Sequence, residues 1–206
     1  SGGAWPGARE DHALFQLGDR TWLFGGSGFG TAGTSGYLND LWSVNVTSAA
    51  AQWTWAGGSE GTNARGVFSD EPTSRWPGSR RGHAVWSDTD FDRALVFGGE
   101  GYLRWHEPDD CSVIHQVGGF EQCETGQHQW ACVPRGQCPH RYGYLSDLWE
   151  ATINLANTSL MIWSCLGGEQ HIDSGNAHGL AGVRTRQTWP GSRVSLAAWA
   201  SGGTGW

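Results

Sequence analysis

Short apolar–polar segments closed by glycine dominate the pattern of this chain. "HALFQLG" begins at His12 and "HAVWSDT" at His83, and an apolar run ending in two glycines follows each: "TWLFGG" to Gly26 and "RALVFGG" to Gly99. Further on stand "GYLNDLW" from Gly36 and "GYLSDLW" from Gly143, then "QWTWAGG" from Gln52 and "IWSCLGG" from Ile162. Short runs of this kind, rich in aromatic and branched residues and bounded by glycine, predict strands. They fall near 12–17, 21–25, 41–46 and 52–56, and again near 83–88, 93–98, 148–154 and 161–166. No long stretch keeps apolar residues three and four apart, so no helix longer than about two turns is expected.

The order of these segments repeats. "WPGAR" at Trp5–Arg9 precedes the first set and "WPGSR" at Trp76–Arg80 the second. "WPGSR" returns at Trp189–Arg193, followed by "LAAWASG" from Leu196 and, last, "TGW". Four short strands, a glycine pair closing the second and a Trp in the fourth are the make-up of a β-propeller blade.

On the motifs R-x-x-H-A, L/V-F-G-G, G-Y-L-N/S-D-L-W and W-x-W-x-G-G, the chain resembles Kelch-repeat β-propellers. More narrowly, it resembles the long repeats grouped with the central domain of galactose oxidase. The resemblance implies an all-β chain with two four-stranded blades and the start of a third, part of a larger propeller. Residues 1–75 form the first blade with its following loop. Residues 76–188 form the second, with a Cys-rich insert at about 103–141, and 189–206 are the incomplete start of a third.

Residues that recur in every unit are read as serving the blade. The pairs Gly25–Gly26 and Gly98–Gly99 are expected to end the second strand where blades crowd together and a Cβ would collide. Trp42, Trp53, Trp149 and Trp163 are expected to fill the space between neighbouring sheets. Asp40 and Asp147 are expected to accept backbone N–H groups at the start of the third strand. Arg9, Arg80 and Arg193 are expected to tie a loop carbonyl or carboxylate with the planar guanidinium fork. Trp5, Trp76 and Trp189 mark the start of each unit, and His12 and His83 are read as packing and loop-anchoring residues.

Turns in a four-stranded meander alternate between the two ends of the sheet. The long connections, about 27–39, 59–79, 100–146 and 169–192, are therefore expected at one end, which makes it the binding face. The sequons Asn45-Val46-Thr47 and Asn157-Thr158-Ser159 fall at the other end and are expected to carry glycans. Cys111, Cys123, Cys132 and Cys138 crowd the insert, which has little with which to form a core. Two disulfides are expected there, with three pairings open. Cys165 is left over, as a core-facing free thiol or bonded elsewhere. Together these features point to an extracellular protein, secreted or at the cell surface.

The remaining composition narrows the partners. All 13 basic residues are Arg and the net charge is -7, without a basic cluster, so neither nucleic acid nor an anionic membrane is expected as partner. No apolar run approaches the ~20 residues that span a bilayer. His106, His115, His128 and His140 surround the cysteines, but the close ligand pairs of a zinc site are missing. The resemblance raises copper-radical oxidation, yet no Tyr, His and Cys set for that metal is found. Tyr37 and Tyr144 belong to the repeated G-Y-L motif, and Tyr102 and Tyr142 flank the insert. The reading is a non-catalytic extracellular scaffold without a cofactor, binding protein or glycan through its loops, in adhesion, a surface coat, a fibre or a matrix. Its other partners are the remaining blades of a longer chain or neighbouring subunits. The alternatives are the propeller portion of a secreted carbohydrate oxidase with its site elsewhere, and an intracellular Kelch adaptor.

Overall fold

The computed structural model describes residues 5–46, 51–88, 91–103, 120–126, 129–134, 142–154, 157, 160–168, 172, 175, 189–196, 200–201 and 204–205. The chain is all-β, built on two antiparallel sheets. Among the described residues the one helical element is a short 3-10 turn, Pro72–Ser74.

The first sheet holds β1 (Arg9–Glu10), β2 (Ala13–Leu17), β3 (Arg20–Phe29), β4 (Ser35–Val44) and β5 (Trp53–Gly57). β1 and β2 both pair with β3, which pairs with β4, which pairs with β5. The second repeats this with β6 (Arg80–Arg81), β7 (Ala84–Asp88), β8 (Arg93–Gly101), β11 (Gly143–Ile153) and β12 (Met161–Gly167). Residues 105–141 form a separate compact unit, in which β9 (Phe120–Gly126) pairs with β10 (Gln129–Pro134). In that hairpin Cys123 stands opposite Ala131 and Cys132 opposite Gln122, so the two are not cross-strand partners. Cys111, Cys138 and the four histidines of the insert lie outside the described residues. A short pair, β13 (Ala200–Ser201) and β14 (Thr204–Gly205), completes the strands.

The leading strand of each sheet is broken at a left-handed residue: Asp11 at φ 53° and Gly82 at φ 57°. Ser195, at the same place in the third segment, has φ 57°. These residues hydrogen-bond in series. Gly82 N–H donates to Asp11 C=O at 3.0 Å, and Ser195 N–H donates to Gly82 C=O at 2.9 Å.

The glycine pairs do not end the second strand of each sheet, as the sequence led us to expect. Gly25 and Gly26 have φ 65° and 101°, and the pairing of β3 with β4 slips between Phe24 and Gly26 and then resumes to Phe29. They form a bulge with left-handed backbone, a conformation that glycine adopts without strain. Gly98 and Gly99, at φ 66° and 99°, sit at the same slip in β8. The first long connection therefore shrinks to residues 30–34. The sheets do crowd here: a Cβ on Gly25 would lie 2.8 Å from Arg80 O of the second sheet, while one on Gly26 would lie 2.6 Å from Glu10 O of its own sheet.

The core lies between the sheets. Phe15, Leu17, Trp22, Phe24, Leu41 and Ala56 meet Ala94, Val96, Trp149, Ala151, Met161 and Trp163. Phe24 and Trp163 stack at 5.1 Å between ring centroids, and Trp149 packs on Phe68 at 4.9 Å. Trp149 and Trp163 thus fill the space between the sheets. Trp42 and Trp53 do not. Register sets Leu14, Leu23, Trp42 and Trp55 in one row on the face opposite the core, and Trp42 and Trp53 remain half-buried there. Cys165, the counterpart of Trp55, is a free thiol packed against the core.

A second glycine pair closes the last strand of each sheet. Gly168 has φ 102°, and a Cβ there would press on Ser146 O and stand 2.6 Å from Asp147 Cα. Gly33, at φ 73°, has open space around its Cβ direction. Gly33→Ala is expected to cost only backbone strain, about 1–2 kcal/mol, whereas Gly168→Ala adds a clash with backbone and should cost clearly more. Urea unfolding of the two variants checks this order.

Candidate functional site

Two features stand outside the core packing. The first is a tyrosine cluster at the end of the sheets where the long connections leave. Tyr37 opens β4, Tyr102 follows β8 and Tyr142 precedes β11. Tyr37 lies 5.3 Å from Tyr142 and 6.1 Å from Tyr102, and Tyr102 lies 6.1 Å from Tyr142. Tyr102 is buried, its N–H donating to Ser79 C=O at 2.8 Å, while Tyr142 is 52% exposed.

A charged group adjoins the rings. Arg81 donates from Nε and Nη2 to Glu100 Oε2 at 2.9 and 2.7 Å, and its Nη1 stands 3.7 Å from Asp11 Oδ2. The guanidinium carbon lies 5.3 Å from the Tyr37 ring centre, a cation–π distance. Burial, then the charge of Glu100, pushes the Tyr37 hydroxyl up to about 12, so it stays a neutral donor. The cluster therefore offers aromatic faces and a fixed guanidinium–carboxylate pair, with the Tyr37 hydroxyl bonded to Glu100, which is equipment for binding. Tyr37 belongs to the repeated G-Y-L motif and Tyr102 and Tyr142 flank the insert, and the chain topology brings the three together.

The second feature is a cavity of about 510 Å³ against the first sheet, lined by Trp5, Arg9, Phe29, Asp40, Trp42 and Trp55 among others. Arg9 reaches Asp40 with its fork at 2.6 and 2.8 Å and Gly25 O at 3.1 Å. Asp40 also accepts from Trp42 Nε1 at 2.6 Å. The second sheet repeats the arrangement with Arg80, Asp147, Gly98 O and Trp149. The aspartates thus accept from Arg and Trp side chains, where backbone N–H groups were expected. A guanidinium supplies paired charged donors in a plane and satisfies both carboxylate oxygens at once. In the third segment Arg193 Nε donates to Gly191 O at 2.9 Å, as Arg9 and Arg80 do to Gly7 O and Gly78 O.

His83 is buried between the bulges, its Cε1 3.2 Å from where a Gly25 Cβ would lie. Neither ring nitrogen has a partner among the described residues. Burial, then Arg80 and His12, lowers its pKa to about 3. Burial, then Arg9, lowers that of His12. Asn45 donates to Asp19 Oδ2 at 3.0 Å in the 45–52 connection, and Asn157 is exposed between β11 and β12. Among the described residues no group of three His, Cys, Asp or Glu is placed to hold a metal ion.

No family model matches the chain, and no curated protein matches it. A solved structure described as "Structure of YjhT" is similar over 96% of this chain and 57% of that one, at 14% identity and a TM-score of 0.33. The chain thus spans less than two thirds of the length of that structure.

Proposed function

We propose that the two sheets are successive Kelch-type propeller blades in an extracellular, non-catalytic scaffold that binds glycans on its loop-bearing end. The observation that carries this reading is the tyrosine cluster with Arg81 and Glu100 at that end. Sugars present C–H faces that stack on aromatic rings and hydroxyls that pair with fixed donors and acceptors. The sequons and the clustered cysteines support the extracellular setting. A protein partner is the second reading, favoured by the Tyr and Arg content of the patch, since both residue types are enriched in binding hot spots.

A glycan array with the purified chain tests the first reading. One or more glycans should bind, and Tyr142→Ala should weaken that binding about tenfold, equal to about 1.4 kcal/mol, with the melting temperature unchanged. An array without signal would remove the glycan reading. Undiminished binding by Tyr142→Ala would remove this patch as the site.

A further inference from the structure

Three charged residues break the repeat at one place. Arg81 stands where the other units have Glu10 and Val194, and Glu100 where the first has Ser27. Asp11 stands where the others have Gly82 and Ser195. Residues shared by the units serve the sheets; these three do not recur, yet they meet beside the tyrosine cluster. Arg81 Nε and Nη2 donate to Glu100 Oε2, and the Tyr37 hydroxyl is bonded to the same carboxylate. The third guanidinium nitrogen, Nη1, faces Asp11 Oδ2 at 3.7 Å, beyond hydrogen-bond length.

The fold makes little use of the Asp11 carboxylate. At this position the three units share only left-handed backbone, at φ 53°, 57° and 57°. The Asp11 carbonyl, not its side chain, accepts from Gly82. The side chain is 54% exposed, and an exposed pair of this kind adds little stability. What the carboxylate does is guard Arg81. A guanidinium grips a carboxylate or sulfate through two parallel N–H groups. Glu100 holds the edge made by Nε and Nη2. The edge made by Nη1 and Nη2 is the one an acidic sugar would take, and Asp11 stands at Nη1 with the same charge as that sugar. Nor does the surrounding charge draw an anion. Among the described residues Glu100 and Arg81 act on Tyr37, Arg65 acts on Tyr102 and Asp11 acts on Arg81, two charges of each sign.

We propose that the tyrosine cluster takes uncharged sugars and excludes carboxylated and sulfated ones, with Asp11 as the excluding residue. Placing like charges together is a direct way to reject a ligand whose other contacts fit. The proposal rests on the glycan reading of the cluster and adds its selectivity.

The test compares each neutral glycan that binds the 206-residue chain on an array with the same glycan after oxidation of its primary hydroxyls to carboxylates. The oxidised forms should bind the unaltered protein at least about tenfold more weakly. Asp11→Asn removes the charge and keeps the left-handed backbone, which asparagine adopts readily. It should strengthen binding of the oxidised forms about tenfold and leave that of the neutral forms within about twofold. Asp11→Gly, the residue of the second unit at this place, should do the same, and serves if the asparagine variant does not fold. Oxidised forms that bind the unaltered protein as well as neutral ones would overturn this proposal alone, with the glycan reading intact. So would oxidised forms that gain nothing from either substitution. A silent array would overturn both.

Discussion

Asp147→Ala will destabilise the protein by about 3–5 kcal/mol, the range for breaking a buried ion pair by removing one partner. Arg80 is fully buried and Asp147 nearly so. The carboxylate takes both prongs of the guanidinium, at 2.8 and 2.7 Å, and the Trp149 indole N–H at 2.6 Å. Removing it leaves a charged group and an indole donor unpaired inside the core. Gly78 O and Gly98 O still accept from Arg80, but neutral carbonyls do not offset the lost charge. The first sheet supplies an internal comparison. Asp40 makes the same bonds beside the open cavity, where water reaches the orphaned groups, so Asp40→Ala should cost less. Urea unfolding of both variants checks the order. The double variant Arg80→Met with Asp147→Leu should recover much of the loss, because apolar residues of similar volume replace a buried pair at little cost. A cost below about 1 kcal/mol for Asp147→Ala would assign the pair a surface-like value and contradict its role.

Acid will unfold the protein partly through His83. Its folded pKa, about 3, is depressed from 6.5 by burial, with Arg80 and His12 adding to the effect. Above pH 6.5 neither state is protonated there, and the stability is fully present. Between 6.5 and about 3 the unfolded chain binds a proton that the folded chain refuses, so this residue removes about 1.4 kcal/mol for each pH unit of descent. His12, also lowered, acts in the same direction. Protonating carboxylates contributes as well, so the informative quantity is the difference from a variant. The third segment indicates which substitution to use: Leu196 stands where His83 does, its Cδ1 3.1 Å from the Cβ direction of Gly98. His83→Leu should leave stability at pH 8 little changed, since neither ring nitrogen is bonded among the described residues, and should flatten the decline below pH 6.5. Equal slopes for the two proteins would mean that His83 accepts its proton in the folded state.

Much of the sheet order was legible because a repeat reports itself. A motif that recurs with its neighbours in order names a structural unit, and all eight predicted strands correspond to observed ones, with β3, β4, β8 and β11 running longer toward the loops. The glycine pair was misread because two left-handed residues signal a strand end and a bulge alike, and the register decides between them. Trp42 and Trp149 occupy one motif position yet differ in burial, since burial depends on what packs against the face and not on the motif. The tyrosine cluster joins residues 37, 102 and 142 from three separate segments, and no local pattern carries that. The Arg–Asp–Trp network was half legible: arginine was expected to seek a carboxylate, but which carboxylate is set by the fold.

Binding at the loop-bearing end is tested most directly by hydrogen–deuterium exchange with and without the strongest-binding glycan of the array. Slowed exchange is expected at 35–38, 78–82, 100–103 and 142–145. Protection confined to 45–52 and 154–160, the end that carries the sequons, would contradict it.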